Sequence, residues 1–166
     1  MRLLFLFLTI LLTQTANAQI CNATIPADAP NSRYTVRTST VLDKQTGLIW
    51  MRCALGQTWD GAGCTGSPTT MVWQTALQTA ESTNFAGKND WRLPNKKELE
   101  SLVELRCSLP AINTFIFPNA TSDVLWSSSP RTYYSSDAWI VDFSHGNDNS
   151  DYKSSVLAVR LVRAGQ

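Results

Sequence analysis

The chain has 166 residues, 14 Lys plus Arg against 13 Asp plus Glu, 43% hydrophobic and 10% aromatic side chains, and four cysteines. So balanced a charge gives no electrostatic footprint for nucleic acid or an anionic membrane. No apolar run reaches the ~20 residues of a membrane-spanning helix, so neither nucleic acid nor a membrane span is expected.

The chain begins with a secretory signature: Arg2, an apolar run from Leu3 to Leu12 broken by Thr9, and the small residues Ala16-Asn17-Ala18. Residues 1–18 are expected to be cleaved as a signal peptide, leaving the mature protein periplasmic, secreted or on the cell surface. Cys21 comes three residues after Ala18, too late for a lipid-anchoring cleavage site. Removing residues 1–18 leaves 148, a length that suits one domain burying roughly 70% of its unfolded surface.

Four cysteines in an exported chain favour two disulfides. Three pairings exist for Cys21, Cys53, Cys64 and Cys107. The Gly-rich loop 56–63 lets Cys53 fold back on Cys64, which leaves Cys21 to tie the N-terminal arm to Cys107. On the chain-entropy model these loops would contribute roughly 3 and 4.5 kcal/mol. The competing reading, a zinc site of four cysteines, lacks a close C-x-x-C pair.

In chain order, residues 19–33 are polar and contain Pro, and are expected as an arm outside the core. Short strands are predicted over 34–37 and 41–42, with a turn at 43–47 returning into Leu48-Ile49-Trp50-Met51. A first helix is predicted over 71–84, with Trp73, Leu77, Ala80 and Ala76 on one face, and Gly87 beyond its end. The next start is sharper. Pro94 disfavours a helical Leu93, Asn95 can accept from free amides, and Glu98 can close a capping box.

A second helix is therefore predicted from Lys96 to about Arg106, burying Leu99, Leu102 and Val103 while Lys97, Glu100 and Glu104 face water. Strands follow over 125–128, 138–144 and 156–163, the middle one alternating as a strand with one well-buried face does. Two helices among antiparallel strands give an α+β class, with one domain over 34–166.

The ordered motifs Thr46-Gly47-Leu48-Ile49-Trp50, Asn89-Asp90-Trp91-Arg92-Leu93-Pro94, Phe117-Pro118-Asn119, Trp126-Ser127-Ser128-Ser129, Trp139-Ile140-Val141-Asp142-Phe143 and Val159-Arg160-Leu161-Val162-Arg163 carry a resemblance. In that order, over about 41–163, the chain resembles the C-terminal domain family of the Legionella collagen-like adhesin. The resemblance implies a C-type-lectin-like fold, in the variant also seen in sulfatase-modifying enzymes, with two helices packed on an antiparallel sheet. Sugar binding is known for the adhesin itself. The Gly-X-Y repeat of the adhesin's collagen stalk is absent from this sequence.

Candidate chemistry is sparse. His145, the one His in the chain, lies in a polar turn with no evident activating partner, so catalysis is not expected. Asp142, Asn147, Asp148, Asn149 and Asp151 supply oxygens of the kind calcium prefers, but their spacing matches no EF-hand and the Glu-Pro-Asn and Trp-Asn-Asp triplets of calcium-dependent lectins are missing. No cofactor is expected. The reactive cysteines of the sulfatase-modifying relatives are set against an oxidising compartment, which favours inert disulfides. Lys88, Arg92, Lys96 and Lys97 are the densest basic stretch, but the acidic Glu98, Glu100 and Glu104 that follow favour a solvated face over an anionic-glycan site. Arg92 sits between two buried neighbours and is expected to lock the loop through hydrogen bonds.

Trp50, Trp73, Trp91, Trp126 and Trp139 lie in strand, helix or motif contexts and are assigned to the core. Trp59 stands in the Gly-rich loop, where a disulfide would hold it exposed and rigid. The other candidate surface is 127–137 with 144–155, rich in Tyr, Ser, Asn and Asp, the residues adaptable binding loops use. The expected ligand residues are Trp59, Arg131, Tyr133 and Tyr134, flanked by His145, Asn147 and Asp148. These point to a non-enzymatic binding module for a glycan or a surface protein. The alternatives are a structural component of an envelope or appendage and, behind it, an enzyme.

Overall fold

Residues 19–165 are described in the computed structural model. The expected signal peptide, 1–18, lies outside them. In chain order the elements are β1 (Ile20–Cys21), a 3-10 turn (Asn31–Arg33), β2 (Tyr34–Val36), β3 (Thr40–Asp43), β4 (Leu48–Met51), β5 (Thr58–Trp59), β6 (Cys64–Thr65), β7 (Thr70–Met71), α1 (Trp73–Ser82), α2 (Lys96–Glu100), β8 (Cys107–Ser108), β9 (Val124–Pro130), β10 (Asp137–Asp142), β11 (Asn147–Tyr152), β12 (Leu157–Ala158) and β13 (Val162–Ala164). The class is α+β, mostly sheet. Among the described residues no helix is long and apolar enough to cross a membrane.

The opening hairpin forms as its residues dictate. Asp43 ends β3 fully buried, and its carboxylate accepts from the Gln45 amide, the Thr46 hydroxyl and Arg33, while Gly47 takes the positive φ of +72° that closes the turn. Adding β13 and β2 at its sides gives the order β13-β4-β3-β2.

The larger sheet runs β11-β10-β9-β12-β7 and is covered on both faces. Leu125 pairs with Val141 and shares a core cluster with Leu99 of α2, whereas the next pair, Trp126 with Ile140, shares the other cluster with Ala76 and Ala80 of α1. Because successive strand residues point to opposite faces, one helix lies on each side. That corrects the expectation of one buried face for β10: Ala138 and Ile140 are as buried as Val141.

Four further expectations change. The second helix stops at Glu100, about six residues earlier than its pattern suggested, because Leu102 and Val103 turn inward through tighter i to i−3 bonds and the Ser101 hydroxyl donates to the Glu98 carbonyl. The apolar residues are buried as expected, but from turns. Glu104, expected in water, is 2% exposed and accepts from the amides of Asp28 and Ala29. The N-terminal segment is therefore docked, with Ala29 in the core and β1 paired to β8. Lastly, the predicted strand over 156–163 is two short ones, β12 and β13, joined by the buried Val159-Arg160-Leu161, which passes from the larger sheet to the smaller.

Both expected disulfides are present, Cys21–Cys107 across β1 and β8 and Cys53–Cys64 around the Gly-rich loop. The capping box is complete: Asn95 Oδ1 accepts from the Glu98 amide at 2.9 Å and Glu98 Oε2 from the Asn95 amide at 2.8 Å. Arg160, wholly buried, donates through Nη1 to the carbonyls of Met51 and Arg52 and stands 4.9 Å from the Phe117 ring centre. Burial pulls its guanidinium down to about 10.

Candidate functional site

The tip of the β9–β10 hairpin is pinned by a short relay of backbone bonds, Tyr134 N to Arg131 O, Asp137 N to Tyr134 O and Arg131 N to Asp137 O. Just inside it the β9–β10 register shifts between Ala138 and Ile140, an irregularity of the kind that re-aims a side chain. The residue at the shift is Trp139. It is half-buried, a correction to its assignment to the core. Lys96 Nζ lies 4.0 Å from its ring centre and the Arg131 guanidinium 5.7 Å, both within cation–π range.

These cations are themselves held. Lys96 Nζ lies 2.5 Å from Asp148 Oδ2 and 3.2 Å from Glu100; the bond to Asp148 raises the ammonium pKa and lowers that of the carboxyl. Arg131 donates to Ser150 Oγ at 2.7 Å and stacks 4.4 Å over Tyr134. Tyr133 is 92% exposed, Tyr134 54% and Tyr152, cross-strand from Asp137, 64%. The structure thus brings together the expected Arg131, Tyr133, Tyr134 and Asp148, and adds Trp139, Lys96, Ser150 and Tyr152. Ser150 and Tyr152 fall within the 144–155 segment already singled out, whereas no sequence signal marks Trp139 or Lys96, because the strand alternation of Trp139 reads as core and Lys96 arrives from α2.

Trp59 belongs elsewhere. Its loop is a miniature hairpin in which Trp59 pairs with Cys64, and the side chain is half-buried, not the exposed ring expected. The cause is Arg52, whose guanidinium lies 4.1 Å from the Trp59 ring centre and donates to the carbonyls of Ile116, Thr38 and Phe115. Trp59 forms one wall of a cleft of about 480 Å³ with Met51, Leu55 and Phe85. The cleft shares no lining residue with the Trp139 surface.

Residues 39–163, which contain the Trp139 surface and all of the Trp59 cleft lining except Thr38, match the family model of the Lcl C-terminal domain. The chain belongs to the Lcl C-terminal domain family. A comparison with curated proteins finds no match.

In this Lcl domain the remaining candidates are dispersed. The segment 147–152, expected as a loop, is the edge strand β11, every residue of it paired with β10, because the main-chain ladder does not require apolar side chains. Asn147 and Asp148 are therefore strand residues. His145 is exposed in the turn before it, its Nδ1 2.8 Å from the Ser144 hydroxyl. The acidic residues face separate partners, Asp142 the Ser144 amide and hydroxyl, Asp148 Lys96, and Asp151 the Ser155 hydroxyl. Among the described residues no group of three or more His, Cys, Asp or Glu could hold a metal ion.

The basic stretch does not act as one patch either. Arg92 is bidentate to Glu98 at 2.7 Å, the lock expected of it, and Lys96 is paired twice. All four described cysteines are in disulfides, which leaves no thiolate for nucleophilic or copper chemistry. Trp73 is the other correction to the tryptophan core: it is half-buried, with its indole donating to the Ser127 carbonyl.

Proposed function

We propose that this Lcl domain is an exported, non-enzymatic binding module that recognises a glycan or a surface protein through the area around Trp139. One observation carries this reading: three exposed tyrosines, 133 and 134 at the β9–β10 tip and 152 on β11 opposite Asp137, stand on the same hairpin and edge strand as a half-buried Trp139 whose neighbouring cations are already fixed by Asp148 and Ser150. Aromatic side chains held in place offer large contact area at low entropy cost. The charges are mostly neutralised internally, so specificity rests on shape and hydrogen bonds. Within the same proposal stand the C-type-lectin-like arrangement, cleavage after Ala18, and binding that needs no calcium.

The test is a glycan array and a surface-protein array probed with residues 19–166, with and without calcium, alongside Tyr134→Ala and Trp139→Ala after each is shown to be folded. Loss of an aromatic anchor is expected to cost ~2 kcal/mol, about a 30-fold fall in affinity, whether or not calcium is present. Wild-type affinity in both variants sinks the reading.

A further inference from the structure

The cleft beside Trp59 is built from three fixed pieces. Its loop is tied by Cys53–Cys64 and by the Thr69 amide donating to the Leu55 carbonyl. Here Gly56 takes φ +91°, and a Cβ added to it would lie 2.1 Å from Thr69 Oγ1, so this crossing admits only glycine. The opposite wall, beyond α1, carries Phe85, whose backbone bridges Lys88 in both directions and whose ring meets Trp91 edge-on at 5.8 Å. Trp59 is held by Arg52, as above. A pocket fixed before its ligand arrives avoids the ordering cost of forming one.

The chemistry of its lining is narrow. Not one of the residues around the cleft is Asp, Glu, Lys, Arg or His. The apolar part consists of Met51, Ala54, Leu55, Trp59 and Phe85, with the Cys53 end of the disulfide. Around it stand Thr38, Ser39, Thr58 and Asn84, whose side-chain hydroxyls and amide make no hydrogen bond among the described residues. Gln57, by contrast, is spent on the Ala54 amide and the Gly66 carbonyl. The volume of about 480 Å³ falls in the usual range of small-molecule sites, ~300–1,000 Å³.

An anionic ligand would lose its hydration here with no cation in the lining to replace it, since the neighbouring Arg52 lies behind the Trp59 ring and is spent on three carbonyls, and a hydrocarbon would leave four neutral polar side chains desolvated and unpaired. A ring with an apolar face and a rim of uncharged hydroxyls satisfies both halves of the lining, its face on the aromatic and aliphatic surface and its hydroxyls on Thr38, Ser39, Thr58 and Asn84. We propose that the Trp59 cleft is a binding site for a neutral sugar ring. It is separate from the Trp139 surface and stands or falls independently of it.

The experiment is an amide and indole NMR titration of residues 19–166 with the methyl pyranosides of glucose, galactose, mannose and N-acetylglucosamine, and with glucuronate and glucose 6-sulfate as charged counterparts. The expected result is saturable movement of the Trp59 indole and of the Thr58 and Asn84 amides with at least one neutral glycoside, and none with the charged sugars. Trp59→Ala would also remove the partner of Arg52, so the variants used are Thr58→Val and Asn84→Ala. Each is expected to weaken binding roughly three- to tenfold, the share of one hydrogen bond, while Trp139→Ala leaves the titration unchanged. The proposal is overturned if no neutral glycoside moves these signals at about 100 mM, far above the millimolar range of weak binding. Equal movement with the charged sugars, or wild-type affinity in both cleft variants, overturns it as well.

Discussion

Arg33 grips Asp43 with both arms of its guanidinium, Nε to Oδ1 at 2.8 Å and Nη2 to Oδ2 at 2.5 Å, and the two side chains are 7% and 0% exposed. The pair joins the 3-10 turn to the end of β3, so it fixes where the N-terminal segment meets the first hairpin. Burial pushes the Asp43 carboxyl up, but bonds from Arg33, Thr46 and the Gln45 amide outweigh it and hold the carboxyl below its ordinary value.

A carboxyl whose pKa is lower when folded contributes stability above its unfolded value of ~3.9, and that contribution is lost as pH falls through the folded value. Asp43→Asn is expected to cost roughly 3–5 kcal/mol near neutral pH, since Arg33 is left buried without its partner, and to flatten the loss of stability below about pH 4. Chemical denaturation of both proteins across pH 2–7 checks it; parallel pH curves would show that the pair contributes nothing to acid sensitivity.

Opening the Cys21–Cys107 link releases a loop spanning 86 residues of sequence. The Cys21→Ser, Cys107→Ser double variant is expected to lose about 2–5 kcal/mol, and β1 should become the first site of proteolysis because among the described residues its only sheet partner is β8. Non-reducing peptide mapping of the wild type checks the pairing itself, and a double variant that melts with the wild type and resists protease equally would remove this account.

Trp91 is 2% exposed, donates from its indole to the Phe85 carbonyl and sits in the cluster under α1. Trp91→Ala is expected to cost ~3–5 kcal/mol, a large fraction of a small domain's stability, and to lower the yield of folded protein. Wild-type yield of folded protein with a melting temperature within a few degrees would place Trp91 outside the energetic core.

Asn95→Ala removes one half of the capping box, while Glu98 keeps its bond from the Asn95 amide and its Arg92 partner. A loss of ~1 kcal/mol is expected. A change under a few tenths, read from denaturant midpoints, would mean that Arg92 and Glu98 alone position α2.

The sequence by itself determined the features governed by neighbours along the chain. The Asp43–Gly47 turn, the Asn95–Glu98 cap and the strand patterns of β3, β4, β9 and β10 follow from local hydrogen bonding and side-chain period, and the ordered motifs carry the family. The disulfides were legible because four cysteines and one Gly-rich loop leave few pairings. Tertiary structure decided the rest, wherever a distant partner outweighs the local pattern. Glu104 turns inward because the amides of Asp28 and Ala29 need an acceptor, β11 forms because β10 supplies its ladder, and Trp59 is withdrawn because Arg52 covers its ring. For the same reason Arg131 and Tyr134 could be anticipated from their loop, whereas Trp139 between Lys96 and Arg131 and the uncharged cleft at Trp59 exist only once chain-distant segments are packed together.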